Sequence, residues 1–418
     1  MAIHEMGEKA KKSSKNLALA STAQKNKVLE TIARTLIEKK MEILKENEKD
    51  ISNAKNQGLD HAMIDRLSLQ GNRIEEVAND IQTVISLDDP IGEIIEEKKL
   101  PNGLDIKKRR TPIGVIGVIY ESRPNVTIDI AALTIKTGNS SILRGGKETI
   151  FSNVILTDII QSSLEKCGLP KDCVQLIHSP DKSYVQQLLK MHDHVDMIIP
   201  RGGAGLHTYC RDNSSIPVIT GGIGICHLYV DESADVDKSI SVIENAKIQR
   251  PTVCNALDTL LVNKAIAPKI ISKLIKKLSS SNVSFKVDSN TKSFITDLKG
   301  DIELAKEEDW QTEWLSLTLG VKIVDTLDEA IDHITKYSSG HSDGIMTETP
   351  LNAEKFLNHI DSAAVYINAS TRFTDGSQFG LGAEVAISTQ KLHARGPMGL
   401  KELTTYRWEV VGDYHCRD

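Results

Sequence analysis

The sequence predicts an α/β protein, and three observations carry that prediction. From residue 113 onward, short runs rich in Val, Ile and Leu alternate with helical patterns, the arrangement of parallel βαβ units. Glycines gather where strand-like runs give way to helices: Gly145-Gly146, Gly202-Gly203-Ala204-Gly205, Gly221-Gly222-Ile223-Gly224 and Gly380-Leu381-Gly382. Aromatic residues make up only 4% of the 418, so the core must be largely aliphatic. A chain of this length provides for about two to three domains.

Residues up to about Pro90 read as helical. Val28, Leu29, Ile32, Ala33, Leu36, Ile37, Met41 and Leu44 recur at helical spacing, the period of one helix face. Ser21 and Gln24 form a capping box ahead of that run, and Pro90 stops the helical region. LPNGLDIKKRRTPIGVIGVIYE reads as a turn, a polar strand and then a buried strand from Ile113 to Tyr120. SILRG precedes a helix starting near Glu148, CVQLIH precedes YVQQLLKM, and VDMIIPRGG precedes a short helix. IPVIT and ICHLYVD read as further strands, followed by a helix over Val236–Lys247. A second alternating set begins at Cys254: strands in NALDTLLV, VSFKV, LGVKIVD, GIMTE and AAVYIN, helices in PKIISKLIKKLSS, LDEAIDHITKYSS and NAEKFLNHI. The pattern gives two α/β lobes with a boundary near 226–250. The tail, MGLKELTTYRWEVVGDYH, reads as a turn and an amphipathic strand. That strand and the polar hairpin near 98–112 offer exposed edges for pairing across a subunit interface.

Charge and composition exclude several classes. The formal net charge is −6, which argues against a general nucleic-acid binder; the basic run Lys107–Arg110 reads as a solvated strand edge. The N-terminus is charged and lacks an apolar signal core, and no apolar stretch is long enough to span a bilayer. The six cysteines, at 167, 173, 210, 226, 254 and 416, form no CxxC pair. Free thiols in a reducing cytoplasm are the expectation.

Gly340-His-Ser-Asp-Gly344 matches the letters of a serine-hydrolase elbow, but that motif needs a strand before the serine and a helix after it. Here a helix precedes and a strand follows, so the reading is rejected. His192-Asp-His194 lies in a polar connection without a partner ligand and reads as a surface turn, so no metal is expected. Two glycine clusters carry cations, Arg144-Gly-Gly-Lys147 and Arg201-Gly-Gly, a combination suited to an anion at a helix N-terminus. Neither matches a dinucleotide fingerprint or a P-loop. Cys254, in QRPTVCNALDTLLV, has the bland reading of a buried filler. Against it, Pro251 breaks regular structure just before the thiol. Arg250 and Lys247 supply positive charge that favours a thiolate. The position also opens the second lobe, where an interdomain cleft is expected.

These motifs, in their order, resemble the aldehyde dehydrogenase superfamily: YESRPNVT at 120–127, ILRGGKE at 142–148, PRGGAGL at 200–206 and QRPTVCNALDTLLV at 249–262. VDTLDEAIDHITKYSSGHSDGI, at 324–345, resembles the branch that reduces an acyl phosphate, and the similarity spans essentially the whole chain. It implies a Rossmann-like cofactor domain (1–97 and 113–225), an α/β catalytic domain (226–385) and a small β oligomerisation element (98–112 and 386–418). It makes Cys254 the nucleophile and Asn125 an oxyanion donor. Arg144, Gly145, Gly146 and Lys147 fall at the cofactor ribose, Arg201, Gly202 and Gly203 at its pyrophosphate, and Glu313 at the nicotinamide ribose.

Two departures from the superfamily are informative. Hydrolytic members carry a water-activating glutamate where this chain has Ile219-Thr220 before Gly221, so a thioester here is expected to be exchanged with phosphate. Lys147 stands where NAD-using relatives place a carboxylate, which favours NADPH through its 2′-phosphate. The implied activity is NADPH-dependent reduction of L-glutamyl 5-phosphate to L-glutamate 5-semialdehyde in proline biosynthesis. A homo-oligomer is implied, with glutamate 5-kinase as the source of substrate. Charge logic adds Arg250, Arg123 and Arg395 as anion partners and Glu384 as partner of the substrate ammonium. The rival readings are a CoA-acylating aldehyde dehydrogenase, a cysteine hydrolase without nucleotide and a catalytically silent nucleotide-binding protein.

Overall fold

Helices Ile3–Ala18, Thr22–Glu38, Lys40–Asn56, His61–Leu67 and Arg73–Ser86 open the chain, in a computed structural model that describes residues 3–295 and 300–417. The expected stripe is buried through Val28, Leu29, Ile32, Ala33 and Leu36. It ends there: Ile37 and Met41 are exposed. Ile37 follows Leu36 by one residue, which turns it about 100° around the helix, and Met41 belongs to the next helix because the first ends at Glu38. Ser21 caps the second helix, its hydroxyl accepting from the Gln24 N–H at 3.2 Å.

A four-stranded parallel sheet follows, in the order Val174–Leu176, Ser140–Arg144, Val115–Tyr120, Met197–Arg201. Every residue of Val115–Tyr120 is buried, as a strand covered on both faces requires. Helices Asn125–Lys136 and Ile150–Lys166 make the crossovers. The turns carrying Glu121, Gly145 and Gly202 therefore sit at the carboxyl ends of parallel strands, where open α/β sheets bind ligands. IPVIT does not form the expected strand. It contributes an isolated bridge, Ile198↔Val218, because Pro217 has no N–H for a ladder.

The second sheet is also parallel, in the order Ile302–Leu304, Ser284–Val287, Thr318–Val324, Leu257–Asn263, Cys226–Val230, Ser342–Met346, Ala364–Ile367. Its central strand, Leu257–Asn263, is buried throughout and begins three positions after Cys254. Leu260, Val262, Ile270, Leu274, Phe285 and Val321 are among the side chains of its core.

The third sheet is antiparallel, Ile94–Lys99 with Asp105–Pro112 and then Thr404–Val411. The tail strand thus pairs with the hairpin of its own chain, from Thr404↔Pro112 to Val411↔Asp105, which corrects the expectation that these two segments meet across a subunit interface. Backbone groups along the paired positions satisfy the ladder within one chain, and Lys108 caps the Tyr406 ring at 3.8 Å.

The chain divides into two compact units, one of residues 1–220, 380–386 and 398–418, the other of 221–379 and 387–397. The division falls at 220/221 instead of 225/226, and 387–397 joins the second unit instead of the tail. The physical cause is pairing: Gly221 bridges Ser388, and Ile387–Ser388 pairs with Gly396–Pro397. Among the described residues, no helix is long and apolar enough to cross a membrane.

Candidate active site

The segment QRPTVCNALDTLLV leaves helix Val236–Ile248, turns at Pro251 and reaches Cys254, a partly exposed thiol outside any disulfide. A turn closed by Ala256 N–H to the Val253 carbonyl, at 3.1 Å, leads into the central strand. The backbone at Cys254 is gripped from behind. A Cβ added at Gly224 would run into the Cys254 carbonyl oxygen, so only glycine allows this approach. The Cys226 thiol donates to the same carbonyl at 3.2 Å. Cys226 is sealed, and burial pushes its thiol well above the ordinary range; it serves as a neutral donor. Of these two sulfurs, Cys254 is the one presented.

A buried carboxylate ties the support together. Asp258 accepts from the Cys226 N–H at 3.3 Å and the Trp314 N–H at 3.1 Å. Lys247 lies 3.9 Å from it and donates to the Leu257 carbonyl at 2.8 Å. Burial drives both toward neutrality, Asp258 up to about 7 and Lys247 down to about 8. Lys247 is therefore a fully buried strut paired with Asp258, and the positive charge expected from it beside Cys254 is answered there. Next to Trp314, Glu313 accepts from the Gly224 N–H at 3.0 Å, and burial raises its carboxyl. The fold brings Glu313, Gly224 and Cys254 into one constellation.

In the other unit, the strand Val115–Tyr120 ends in a turn where Ser122 has φ +37°, a left-handed conformation that costs a non-glycine residue roughly 1–2 kcal/mol and clusters at functional sites. Asn125 then begins its helix, and its amide N–H₂ donates to Asp129 at 2.9 Å. Burial, with Asp80 adding to it, pushes Asp129 up to about 7. Arg144 ties its own loop, reaching the carbonyls of Gly145 and Pro180, each at 2.9 Å, whereas Lys147 is exposed. At the third turn, Gly203 N–H donates to the Glu121 carboxylate at 3.2 Å, and a Cβ added at Gly203 or Gly205 would meet open space. The turn offers an N–H to an oxyanion and room beside its glycines, the features a diphosphate needs, and the Glu121 carboxylate would have to yield that N–H to a diphosphate. Arg123 is exposed, and Arg201 and Glu384 are partly exposed.

A match to the Aldehyde dehydrogenase family extends over residues 1–295. Gamma-glutamyl phosphate reductase of Vibrio cholerae is 56% identical over 417 residues, covering 100% of both chains, and that of Vibrio vulnificus is 57% identical with the same coverage. The crystal structure of gamma-glutamyl phosphate reductase from Thermotoga maritima superposes with a TM-score of 0.97 at 44% identity, again over 100% of both chains. The chain belongs to the gamma-glutamyl phosphate reductase branch of the aldehyde dehydrogenase family. An acetylating aldehyde dehydrogenase from Geobacillus thermoglucosidasius, 19% identical with a TM-score of 0.70, shares the fold.

Family membership accounts for the misleading letters at 340–344. Ser342 is buried in a strand behind helix Leu327–Tyr337, bonded to Thr374 at 2.6 Å, so no serine is presented. Arg395 donates to Asp361 at 2.8 Å. Lys391 and Arg395 together hold that carboxyl down at about 2, so Arg395 is engaged in a surface pair. No group of three or more His, Cys, Asp or Glu among the described residues is arranged to hold a metal. Sequence reasoning missed Asp129 and Asp258. Asp129 was legible four residues after Asn125, one helical turn on. Asp258 had no local signal, because the N–H groups it accepts from, at Cys226 and Trp314, come from distant segments.

Proposed function

We propose that this chain reduces L-glutamyl 5-phosphate to L-glutamate 5-semialdehyde and phosphate with NADPH, in proline biosynthesis. The observation that carries the chemistry is the presented Cys254, held through its backbone by Gly224 and the Cys226 thiol. The Cys254 thiolate attacks the acyl carbon and phosphate leaves, forming a thioester. Cysteine suits both halves because it is nucleophilic near neutral pH and a good leaving group. Its own N–H and the Asn125 amide are the donors to the carbonyl oxygen, each worth about 10²–10³ in rate. Thr220, standing where hydrolytic relatives place a base, leaves water unactivated and the thioester intact. Collapse of the hemithioacetal then returns the thiolate.

When bound, NADPH supplies hydride to the thioester carbon. Lys147 is the residue proposed for its 2′-phosphate, with Arg144, Gly145 and Gly146 at the ribose side, Arg201, Gly202 and Gly203 at the pyrophosphate and Glu313 at the nicotinamide ribose. For the substrate, Arg250 and Arg123 are the proposed anion partners and Glu384 that of the ammonium; Arg395 would join them by exchanging its Asp361 carboxylate for the substrate's. Residues 1–97 and 113–225 form the proposed cofactor domain and 226–385 the proposed catalytic domain, functional bounds that differ from those of the compact units, which change at 220/221 and place 380–386 with the first. Because the tail pairs with its own hairpin, the proposed subunit contact lies along the remaining edges of that sheet, Ile94–Lys99 and Thr404–Val411. The acyl phosphate must come from an ATP-dependent carboxylate kinase, the chemistry of glutamate 5-kinase, and the free thiols suit the cytoplasm.

The test runs the reaction backward. Wild-type protein with glutamate 5-semialdehyde should reduce NADP⁺ only when inorganic phosphate is present, and Cys254→Ala should fall to background. Dependence on CoA in place of phosphate would assign the acylating reaction instead. Turnover of an acyl substrate without nucleotide would assign a hydrolase.

A further inference from the structure

The turn Ser370–Thr374 is fastened to both sides of the nucleophile segment. Before Cys254, the Arg372 Nε donates to the Gln249 side-chain oxygen at 2.8 Å, between residues 123 apart in sequence. After it, the Asn255 amide donates to the carbonyls of Arg372 at 3.3 Å and Thr374 at 2.9 Å. Thr371 returns a hydrogen bond to the Asn255 carbonyl at 2.8 Å. Arg372 is thus locked against the short stretch that contains Arg250 and Cys254.

Its guanidinium is half-buried, and its pKa is lowered, first by burial and then by the Arg250 guanidinium beside it; the Cys254 and Cys226 sulfurs act on it in the opposite sense. Asp375 acts on it in that same opposite sense, a carboxylate fixed by the Ser377 N–H at 2.9 Å and by its hydroxyl, so one carboxylate offsets part of the charge of two guanidiniums. Arg250 directly follows the Gln249 that Arg372 grips, so two positive charges stand at one short stretch, Arg372 half-buried and Arg250 exposed, and like charges so placed repel. An anion placed between them would relieve the repulsion.

We propose that Arg372 and Arg250 form the subsite for the phosphoryl group of the acyl phosphate. This rests on the reductase reading and adds Arg372 to it. In acylation, the Cys254 sulfur bonds to the acyl carbon, the carbon–oxygen bond to phosphate breaks, and the electron pair leaves on that oxygen. The proton given up by the thiol ends on the departing hydrogen phosphate. An approaching thiolate and a phosphoryl dianion repel one another, and two fixed guanidiniums offset this, since planar forks match phosphate oxygens. The Gln249 bond orients the Arg372 fork before substrate arrives.

The experiment compares wild type with Arg372→Gln and Arg372→Lys in the reverse direction. The KM for inorganic phosphate should rise about 10- to 100-fold in Arg372→Gln, the range of a charge-assisted bond. Arg372→Lys should recover part of it, the KM for NADP⁺ should stay unchanged, and arsenate should show the same shift. A readout without turnover keeps the test independent of rate: inorganic phosphate should slow alkylation of Cys254 by iodoacetamide in wild type and do so at about 10-fold higher concentration or more in Arg372→Gln. An unaltered phosphate KM with a loss confined to kcat, or equal protection in the two proteins, overturns the subsite and leaves the reductase reading standing. Reduction of NADP⁺ by the wild type without phosphate overturns the reading itself, and the subsite with it.

Discussion

At the scale of single residues, two cysteines show how environment decides role. Cys254 and Cys226 are joined by one hydrogen bond, yet burial keeps the Cys226 thiol protonated while Cys254 is partly open to solvent. Lys147 is the residue proposed to set cofactor choice. It is exposed in the 3₁₀ turn Lys147–Thr149, directly after the Gly145-Gly146 pair. A lysine attracts a 2′-phosphate and a carboxylate repels it. Lys147→Glu should lower the preference for NADPH over NADH by about 10- to 100-fold, one charged hydrogen bond lost and a repulsion gained. The ratio of kcat/KM for the two cofactors measures it; an unchanged ratio would remove Lys147 from the cofactor site.

At the scale of elements, local chemistry and pairing share the work. Ser21 starts the helix Thr22–Glu38 by capping the Gln24 N–H. Ser21→Ala should destabilise the unit that contains it by about 1 kcal/mol, the usual value of a serine cap, read as a lower urea midpoint with an unchanged slope. The start of this helix was legible from the cap; its end at Glu38 was not, because the apolar period reads on through Met41 and Leu44 of the next helix. Nor was the fate of IPVIT. Its composition suits a strand, but Pro217 withholds the N–H and leaves one bridge to Ile198. The tail strand was legible as a strand. Its partner, Asp105–Pro112 of the same chain, was not, because an amphipathic edge pairs equally well within or between chains.

At the scale of the whole molecule, buried histidines couple stability to pH. His341 is fully buried with Nε2 unpartnered, and burial lowers it to about 4. The unfolded chain takes up a proton below about pH 6.5 that the folded protein refuses until about pH 4, so the contribution is whole above pH 6.5 and is lost as pH falls through that window. His341→Gln removes the linkage. Relative to wild type, the variant should gain up to about 1.4 kcal/mol per pH unit between pH 6.5 and 4, measured as the difference in unfolding free energy at pH 7 and pH 5. Parallel pH profiles would show that His341 is not held neutral.

The sequence by itself determined the alternating α/β plan, the motif order that names the family, and the segment around Cys254 proposed as nucleophile, since all three are written in residues close together along the chain. Tertiary structure alone decided that Asp258 and Lys247 neutralise one another beneath that segment, that Glu313 meets Gly224, and that Arg372 arrives against it. The last two contacts join residues far apart in the chain and the first is made by burial, and a polar residue's role is set by the neighbours folding gives it, above all where burial strips away water and makes each charge depend on the next.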